Sequence, residues 1–200
     1  MPKRAYTRRM SATPLPRHVP IAASVRGAHP ENLHVGSFAV VDAQGRLLAS
    51  AGDVDFPVFT RSSLKPLQAV PLVADHADRL KLDDADIALL CASHNGEPMH
   101  VERVAALLAR IGVDDSALAC GTHEPYFFRF NGQTPPAGAR FRPFHHNCSG
   151  KHAAMLLLAD AMGAPLAGYL DPDHPVQRAI ADSVSHWSGV PGSALVLGID

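Results

Sequence analysis

The most informative stretch of the sequence is Arg-Ser-Ser-Leu-Lys-Pro, at residues 61–66. It predicts a helix that begins near Ser62 and carries Lys65 three residues later, on the same face. A serine hydroxyl is a weak nucleophile until a neighbouring base takes its proton. A lysine can be that base only when it is neutral, which requires burial or a nearby positive charge such as that of Arg61. The pair therefore indicates nucleophilic chemistry at Ser62.

The residues around this pair help to decide whether it is a catalytic pair. A Ser-x-x-Lys spacing alone is more often a capping serine and a solvated lysine than a catalytic pair. Pro66 fits only the first turn of a helix and disfavours helical geometry at Lys65, while Pro71 predicts a kink. Apolar residues on both sides favour a lysine shielded from water: Phe56, Val58, Phe59, Leu64, Leu67, Ala69, Val70, Leu72 and Val73.

The overall composition excludes several classes of protein. The chain has 200 residues, 46% of them hydrophobic, with 18 basic against 19 acidic side chains, as expected for a soluble globular protein. This balance gives no general attraction to nucleic acid or to an anionic membrane, and no apolar run approaches the ~20 residues that span a bilayer. The odd number of cysteines argues against a disulfide scaffold, so we expect a reducing, cytoplasmic location.

The two ends of the chain differ in character. Residues 1–20 are predicted to be a disordered basic tail rather than a transit peptide, because they contain five basic residues and no acidic one: Lys3, Arg4, Arg8, Arg9 and Arg17. Residues 21–200 are predicted to be one domain. Because the chain stops on an apolar strand at residues 194–199, we expect it to be the N-terminal part of a longer protein.

Strands are predicted from short apolar runs. One lies at residues 21–25, and residues 36–50 form a hairpin whose turn ends at Gly45. The run at residues 87–92 is short enough to favour a buried strand over a helix. Together with the helices described next, these runs predict a mixed α/β fold.

Helices are predicted where apolar residues recur at helical spacing. One spans residues 98–111 and ends at Gly112, another includes residues 153–159 and ends at Gly163, and a third runs from Asp173 to Gly189. Asp83 is a candidate cap for a further helix start.

Two more polar clusters adjoin apolar elements. Ser93 and Asn95 follow the run at residues 87–92. Ser-x-x-Lys followed by Ser-x-Asn is the order found in serine acyl-transfer enzymes of the β-lactamase and penicillin-binding type, where the second serine relays a proton and the asparagine holds the substrate amide. The Lys-Thr/Ser-Gly element of that set is absent from these residues. The irregular segment 120–146, rich in aromatic and basic residues, is predicted to be an anchored loop such as a lid rather than a nucleic-acid site.

The third cluster suggests a metal. Thiolate, imidazole and amine groups lie within eight positions, and thiolate and imidazole suit zinc. The spacing is not that of a zinc finger, so ligands from elsewhere would be needed. Cys91 and Cys120 are expected to pack in the core. The cluster consists of His145, His146, Cys148, Lys151 and His152.

Four segments together resemble the L-asparaginase II family of the rhizobial type. They are the sequences RSSLKPLQAVPLV from residue 61, ASHNGE from residue 92, HNCSGKHAAM from residue 146 and HPVQ from residue 174. They are long and in order, and the likeness runs from about residue 20 to the end. The resemblance implies an antiparallel sheet flanked by helices, similar to serine β-lactamases and glutaminases, and hydrolysis of L-asparagine to L-aspartate and ammonia.

The resemblance also implies residue roles. Ser62 would be the nucleophile, Lys65 its base, and Ser93 part of a second serine–lysine pair whose lysine lies beyond this chain. Cys148 and Lys151 would bind zinc, with a further cysteine after an Ile-Asp-Gly segment. Substrate contacts are expected from Arg61, Asn95 and Asp200. The family further implies a homodimer.

Three functions are therefore weighed. The first is an L-asparaginase that forms an acyl-enzyme. The second is an inactive fragment or a binding homologue that keeps part of the site. The third is a serine enzyme that reacts with β-lactams.

Overall fold

The computed structural model describes residues 15–198 and contains two compact units, divided between Phe59 and Thr60. Within that range, two-stranded antiparallel sheets make up the regular structure of the first unit, and six α-helices lie in the second. The predicted mixed α/β class is confirmed at this level. The closer likeness to β-lactamase folds stays a prediction, as does the single domain over residues 21–200.

The described residues of the first unit form two β-hairpins. Strands β1 (Val19–Arg26) and β2 (His29–Gly36) pair antiparallel, and β3 (Phe38–Val41) pairs with β4 (Leu47–Ala51). The predicted turn is confirmed, since Gly45 takes φ +76° and donates its N–H to the Asp42 carbonyl at 3.0 Å. Strand β1 begins within the predicted tail, and residues 1–14 lie outside the described range. None of the described residues up to Phe59 is buried.

The second unit is helical. Its helices are α1 (Lys65–Leu80), α2 (Asp84–Cys91), α3 (Pro98–Ala109), α4 (Tyr126–Phe130), α5 (Ser149–Ala161) and α6 (Pro175–Ser188). Helix α5 is central, because α1, α2, α3 and α6 all pack against it. Every residue of α5 from His152 to Ala159 is buried. Each fully buried leucine there contributes about 2 kcal/mol of transfer free energy, and residues 153–159 are apolar on every side because neighbouring helices surround them.

The predicted strand at residues 87–92 is wrong, because these residues belong mostly to helix α2. Asp83 caps the helix by accepting the Asp86 N–H at 2.7 Å, and the Asp86 side chain reaches back to the Asp83 N–H at 3.4 Å. This reciprocal capping box begins a helix that then continues through the apolar run. Arg103 and Arg110 bind the buried Asp86 carboxylate at 2.6 and 2.8 Å, which fixes α2 against α3.

Two further expectations are corrected. Lys65 has helical dihedrals (φ −53°, ψ −39°) despite the proline after it, because it follows directly on a 3₁₀ turn over Arg61–Leu64. The predicted strand at residues 194–199 is not formed in its described part, where Gly192–Ala194 is a 3₁₀ turn and residues 195–198 are irregular.

The predicted helices near residues 98–111, 153–163 and 173–189 are confirmed with shifts of a few residues at their ends. Helix α1 continues past Pro71 to Leu80. Of the helices described, none combines the length and the apolar character needed to cross a membrane.

Candidate active site

The candidate active site is built on three junctions of the helical unit. The first is the 3₁₀ turn that carries Ser62 into helix α1, and the second is the loop from Ser93 to Glu97 between α2 and α3. The third is the turn before helix α5, which holds Cys148 and leads to Lys151. Helices α1 and α2 both pack on α5, so the core brings the elements that carry these junctions together.

Lys65 is the best-defined feature of this site. Its side chain is 2% exposed, as the apolar flanking residues predicted. Its Nζ lies 2.7 Å from the Ala92 carbonyl oxygen and 2.6 Å from the Ser93 hydroxyl. The carbonyl can only accept, so the amine donates one N–H to it. Towards Ser93 the amine can donate, or accept the hydroxyl proton when it is neutral, which is the arrangement that proton relay requires.

Both candidate serines are exposed, whereas the Lys65 amine is buried. Ser62 lies one turn before Lys65, and its carbonyl accepts the Lys65 backbone N–H. The neighbouring Ser63 turns its hydroxyl to the Thr60 carbonyl at 2.5 Å. A substrate can therefore reach the hydroxyl groups from solvent while the base stays shielded from water.

Arg61 has an uncommon backbone conformation directly before Ser62. Its φ is +52°, in the left-handed region that a side chain with a Cβ rarely adopts. Such a conformation costs on the order of 1–2 kcal/mol and is kept where the surrounding structure requires it. The strained residue, Arg61, directly precedes the predicted nucleophile, Ser62.

Backbone contacts hold the Ser93–Glu97 loop. His94 donates its N–H to the Asn147 carbonyl at 3.1 Å, and the Asn95 carbonyl accepts the Phe127 N–H at 2.8 Å. Gly96 has φ +72°, and a Cβ there would lie 2.8 Å from the His145 carbonyl oxygen and 2.8 Å from the Pro125 Cβ. Position 96 therefore accommodates only glycine. The loop lies between segment 120–146 and the third junction.

Segment 120–146 is irregular except for short helical turns, as predicted. Arg142 binds the buried Asp115 carboxylate with two nitrogens, one of them at 2.7 Å. The His123 ring stacks on Tyr126 with centroids 4.9 Å apart and lies 4.5 Å from the His146 ring. These contacts anchor the segment beside the other junctions, and its role as a lid stays a prediction.

The third junction holds the predicted metal ligands. Cys148 is buried, and its backbone N–H donates to His146 Nδ1 at 3.0 Å. Lys151 is half-buried and is the third residue of α5. Burial raises the pKa of the half-buried Cys120 thiol to about 11, with a further rise caused by Cys148 and an opposing effect of the Lys151 charge. Cys120 packs against the core as expected, yet it also lies within electrostatic reach of both predicted ligands.

The fit of this junction to zinc is partial. A structural zinc site takes four ligands and a catalytic one three from the protein. Within residues 15–198, no group of three or more histidine, cysteine or acidic side chains is arranged to hold a metal. A thiol and an amine therefore do not complete a site by themselves.

Sequence reasoning missed two buried residues, His94 and Ser149. His94 Nε2 lies 2.8 Å from the Ser149 hydroxyl, although 55 residues separate them in the chain. His94 stands between the predicted Ser93 and Asn95, and Ser149 directly follows Cys148. Their position within two polar clusters was the one sequence signal that could have indicated a role in the site. Asp200, the remaining predicted contact, lies outside the described residues.

Comparison with protein families assigns the chain to one family. The model of the L-asparaginase II family matches residues 22–200, which is most of the chain. The chain therefore belongs to the L-asparaginase II family, as the sequence motifs predicted. Among curated proteins, no match to the chain is found.

Proposed function

We propose that the protein is an L-asparaginase that hydrolyses L-asparagine to L-aspartate and ammonia through an acyl-enzyme. Family membership supports an amidohydrolase of this kind. The observation that carries the proposal is the buried Lys65 amine, which contacts Ser93 and lies one turn after the exposed Ser62. A shielded amine that contacts one accessible hydroxyl group and follows another by one turn is suited to moving protons during acyl transfer.

In the proposed first step, Ser62 Oγ attacks the side-chain amide carbon of L-asparagine and Lys65 takes the hydroxyl proton. Ser93, in contact with Lys65 Nζ, passes its proton to the leaving nitrogen and receives the proton that Lys65 has taken. The C–N bond breaks, ammonia leaves, and an aspartyl ester remains on Ser62. Water then attacks the ester carbon, the C–O bond breaks, and L-aspartate leaves while Ser62 regains its proton.

Arg61 and Asn95 are the proposed substrate contacts near these serines, together with Asp200. Asn95 is half-buried, and its side-chain amide lies 3.4 Å from a Glu97 carboxylate oxygen, which limits its orientation. Zinc stays a proposal: Cys148 and Lys151 would provide two ligands, and further donors would have to complete the site. A metal bound there would supply Lewis-acid polarisation or shape the substrate site. The homodimer and the cytoplasmic location also stay predictions.

The central experiment measures ammonia release from L-asparagine by the full-length protein and three variants, Ser62→Ala, Lys65→Met and Ser93→Ala. Loss of the nucleophile or base is expected to lower kcat by at least about 10³-fold, and loss of the relay by about 10²-fold. Intact-mass measurement after rapid quenching should detect the aspartyl ester on the wild type and not on Ser62→Ala.

The chain offers matched controls for this experiment. Ser63→Ala removes the adjacent hydroxyl, which is bonded to Thr60, and Lys81→Met removes the exposed lysine after α1. Both controls should keep wild-type turnover. Full turnover in Ser62→Ala or Lys65→Met would refute the assigned roles, and turnover of a penicillin instead of asparagine would favour the β-lactam alternative.

A further inference from the structure

His94 connects the second and third junctions through its side chain. The residue is 4% exposed, and its two ring nitrogens contact different segments of the chain. Nε2 lies 2.8 Å from the Ser149 hydroxyl at the start of α5, and Nδ1 lies 3.1 Å from the Gly96 nitrogen. The proposed acyl-transfer steps do not use this imidazole.

The hydrogen-bond partners determine the tautomer of His94. The Gly96 N–H can only donate, so Nδ1 accepts. The Ser149 hydroxyl donates its single proton to the Phe144 carbonyl at 2.9 Å, which can only accept. Ser149 Oγ must therefore accept from Nε2–H. A neutral ring with its proton on Nε2 satisfies every atom of this chain of hydrogen bonds.

The electrostatic surroundings agree with a neutral ring. The pKa of His94 is lowered to about 3, chiefly by burial and then by positive charge on neighbouring groups, in the order His100, Lys65, His146 and His123. Protonation of Nδ1 would also break its bond with the Gly96 N–H.

Ser149 is a rigid anchor for this connection. It is fully buried as the first residue of α5, and the next residue, Gly150, approaches α2 so closely that a Cβ would lie 2.4 Å from the Leu89 carbonyl oxygen. A residue held by this anchor fixes its own chain neighbours. Those neighbours are Ser93, which contacts Lys65, and Asn95.

We propose that His94 is a positioning residue. As a neutral Nε2–H donor to Ser149, it fixes the Ser93–Glu97 loop relative to Lys65 and to the third junction, which holds Cys148. This inference rests on the proposed amidohydrolase function. His94 does not touch the reacting atoms, so its loss should lower kcat more than it raises KM. Displacement of positioned groups by about 1 Å lowers rates by about 10- to 100-fold.

The test compares two replacements of His94. Gln keeps a donor nitrogen for Ser149, whereas Phe keeps the ring and removes both nitrogens. We expect His94→Phe to lower kcat by about 10- to 100-fold with KM within about 3-fold, and His94→Gln to recover most of the loss. A matched control is His174→Phe. His174 is also buried, accepts the N–H two residues later at Nδ1, and bonds the Pro165 carbonyl through Nε2, at the start of α6. Its replacement should lower stability without changing kcat.

Two readouts are independent of turnover. Long-range ¹H–¹⁵N NMR of ¹⁵N-histidine protein should show the Nε2–H tautomer for His94 at neutral pH. A crystal structure of His94→Phe should show the contact between Lys65 Nζ and Ser93 Oγ lost. Unchanged kcat in His94→Phe, equal losses in His94→Phe and His94→Gln, an Nδ1–H or charged ring, or an intact contact would each overturn the proposal. A wild type without amidase turnover would instead refute the proposed function, while the NMR and crystallographic results would still decide the role of His94.

Discussion

The two units of this protein use apolar residues in opposite ways. In the helical unit, the large apolar side chains of α5 are buried, and helices α1, α2, α3 and α6 pack against α5. In the described hairpins, apolar residues such as Leu33 and Leu48 are 64% and 65% exposed, and pairing rests on backbone hydrogen bonds. Isolated two-stranded hairpins are marginally stable in water. The candidate site therefore belongs to the unit that has its own core, and four predictions test this difference.

The largest expected effect is the loss of a core leucine. Leu156→Ala should lower the free energy of unfolding by about 3–5 kcal/mol, because Leu156 is fully buried in the core cluster. Leu48→Ala, the matched change in β4, should cost less than about 0.5 kcal/mol. Urea unfolding followed by circular dichroism at 222 nm checks both. Equal losses would show that the hairpin side chains are as well packed as the core.

A second comparison places one methyl group in each unit. Gly150→Ala should cost about 2–3 kcal/mol, because the new Cβ would lie 2.4 Å from a backbone oxygen of α2. Gly45→Ala in the hairpin turn meets no atom within 4 Å and should cost only about 1 kcal/mol for its positive φ. Thermal unfolding of the two variants measures this difference. A smaller loss for Gly150→Ala would contradict the close approach of α5 to α2.

Acid should weaken the helical unit first. The pKa of His94 falls from 6.5 in the unfolded chain to about 3 when folded, chiefly by burial. Between these values the unfolded state binds more protons, so the free energy of unfolding decreases as the pH falls, by at most about 1.4 kcal/mol per pH unit. In the hairpin turn, bonds from Arg46 lower the pKa of Asp42 below 3.8, so its contribution is present above pH 3.8 and is lost only below it.

Urea unfolding at pH 7, 5.5 and 4.5 checks this dependence. His94→Gln should flatten the decrease between pH 6.5 and 4.5, because glutamine does not titrate. An identical decrease in the wild type and the variant would show that His94 is not held neutral.

A smaller effect concerns backbone strain. The described hairpins place positive φ on glycine, whereas the helical unit also places it on Arg61 and Lys81, both at +52°. Arg61→Gly should be more stable than Arg61→Ala by about 1 kcal/mol, and Lys81→Gly should show the same gain over Lys81→Ala. If Arg61 binds substrate through its guanidinium, both Arg61 variants should raise KM equally. A larger KM for glycine would indicate that the strained backbone itself presents Ser62.

Local signals predicted much of the fold. Gly45 marked the turn between β3 and β4, and Gly112 and Gly189 marked helix ends. Strand β2 was missed, because its sequence HPENLHVG has no apolar alternation and its pairing with β1 is the reason that it is extended. The run at residues 87–92 was mistaken because apolar character alone does not distinguish a short strand from a helix, whereas the capping box before it does.

The sequence predicted individual residues of the site better than the contacts between them. Apolar neighbours predicted that Lys65 is buried, since burial follows from the local sequence. Its contact with Ser93 spans 28 residues and that of His94 with Ser149 spans 55, so both depend on how α1, α2 and α5 pack. The spacing of one sequence cannot specify such contacts.

The seclusion of Lys65 also makes it a reporter for covalent footprinting. An amine that is 2% exposed and engaged with Ala92 and Ser93 should acetylate slowly, while the exposed Lys81 at the far end of the same helix reacts at once. Mass spectrometry of a brief acetylation would therefore report the ratio of labelling at these two lysines. That ratio approaches one when α1 leaves the core. It therefore reports in any variant whether Lys65 is still buried, and the measurement needs no substrate.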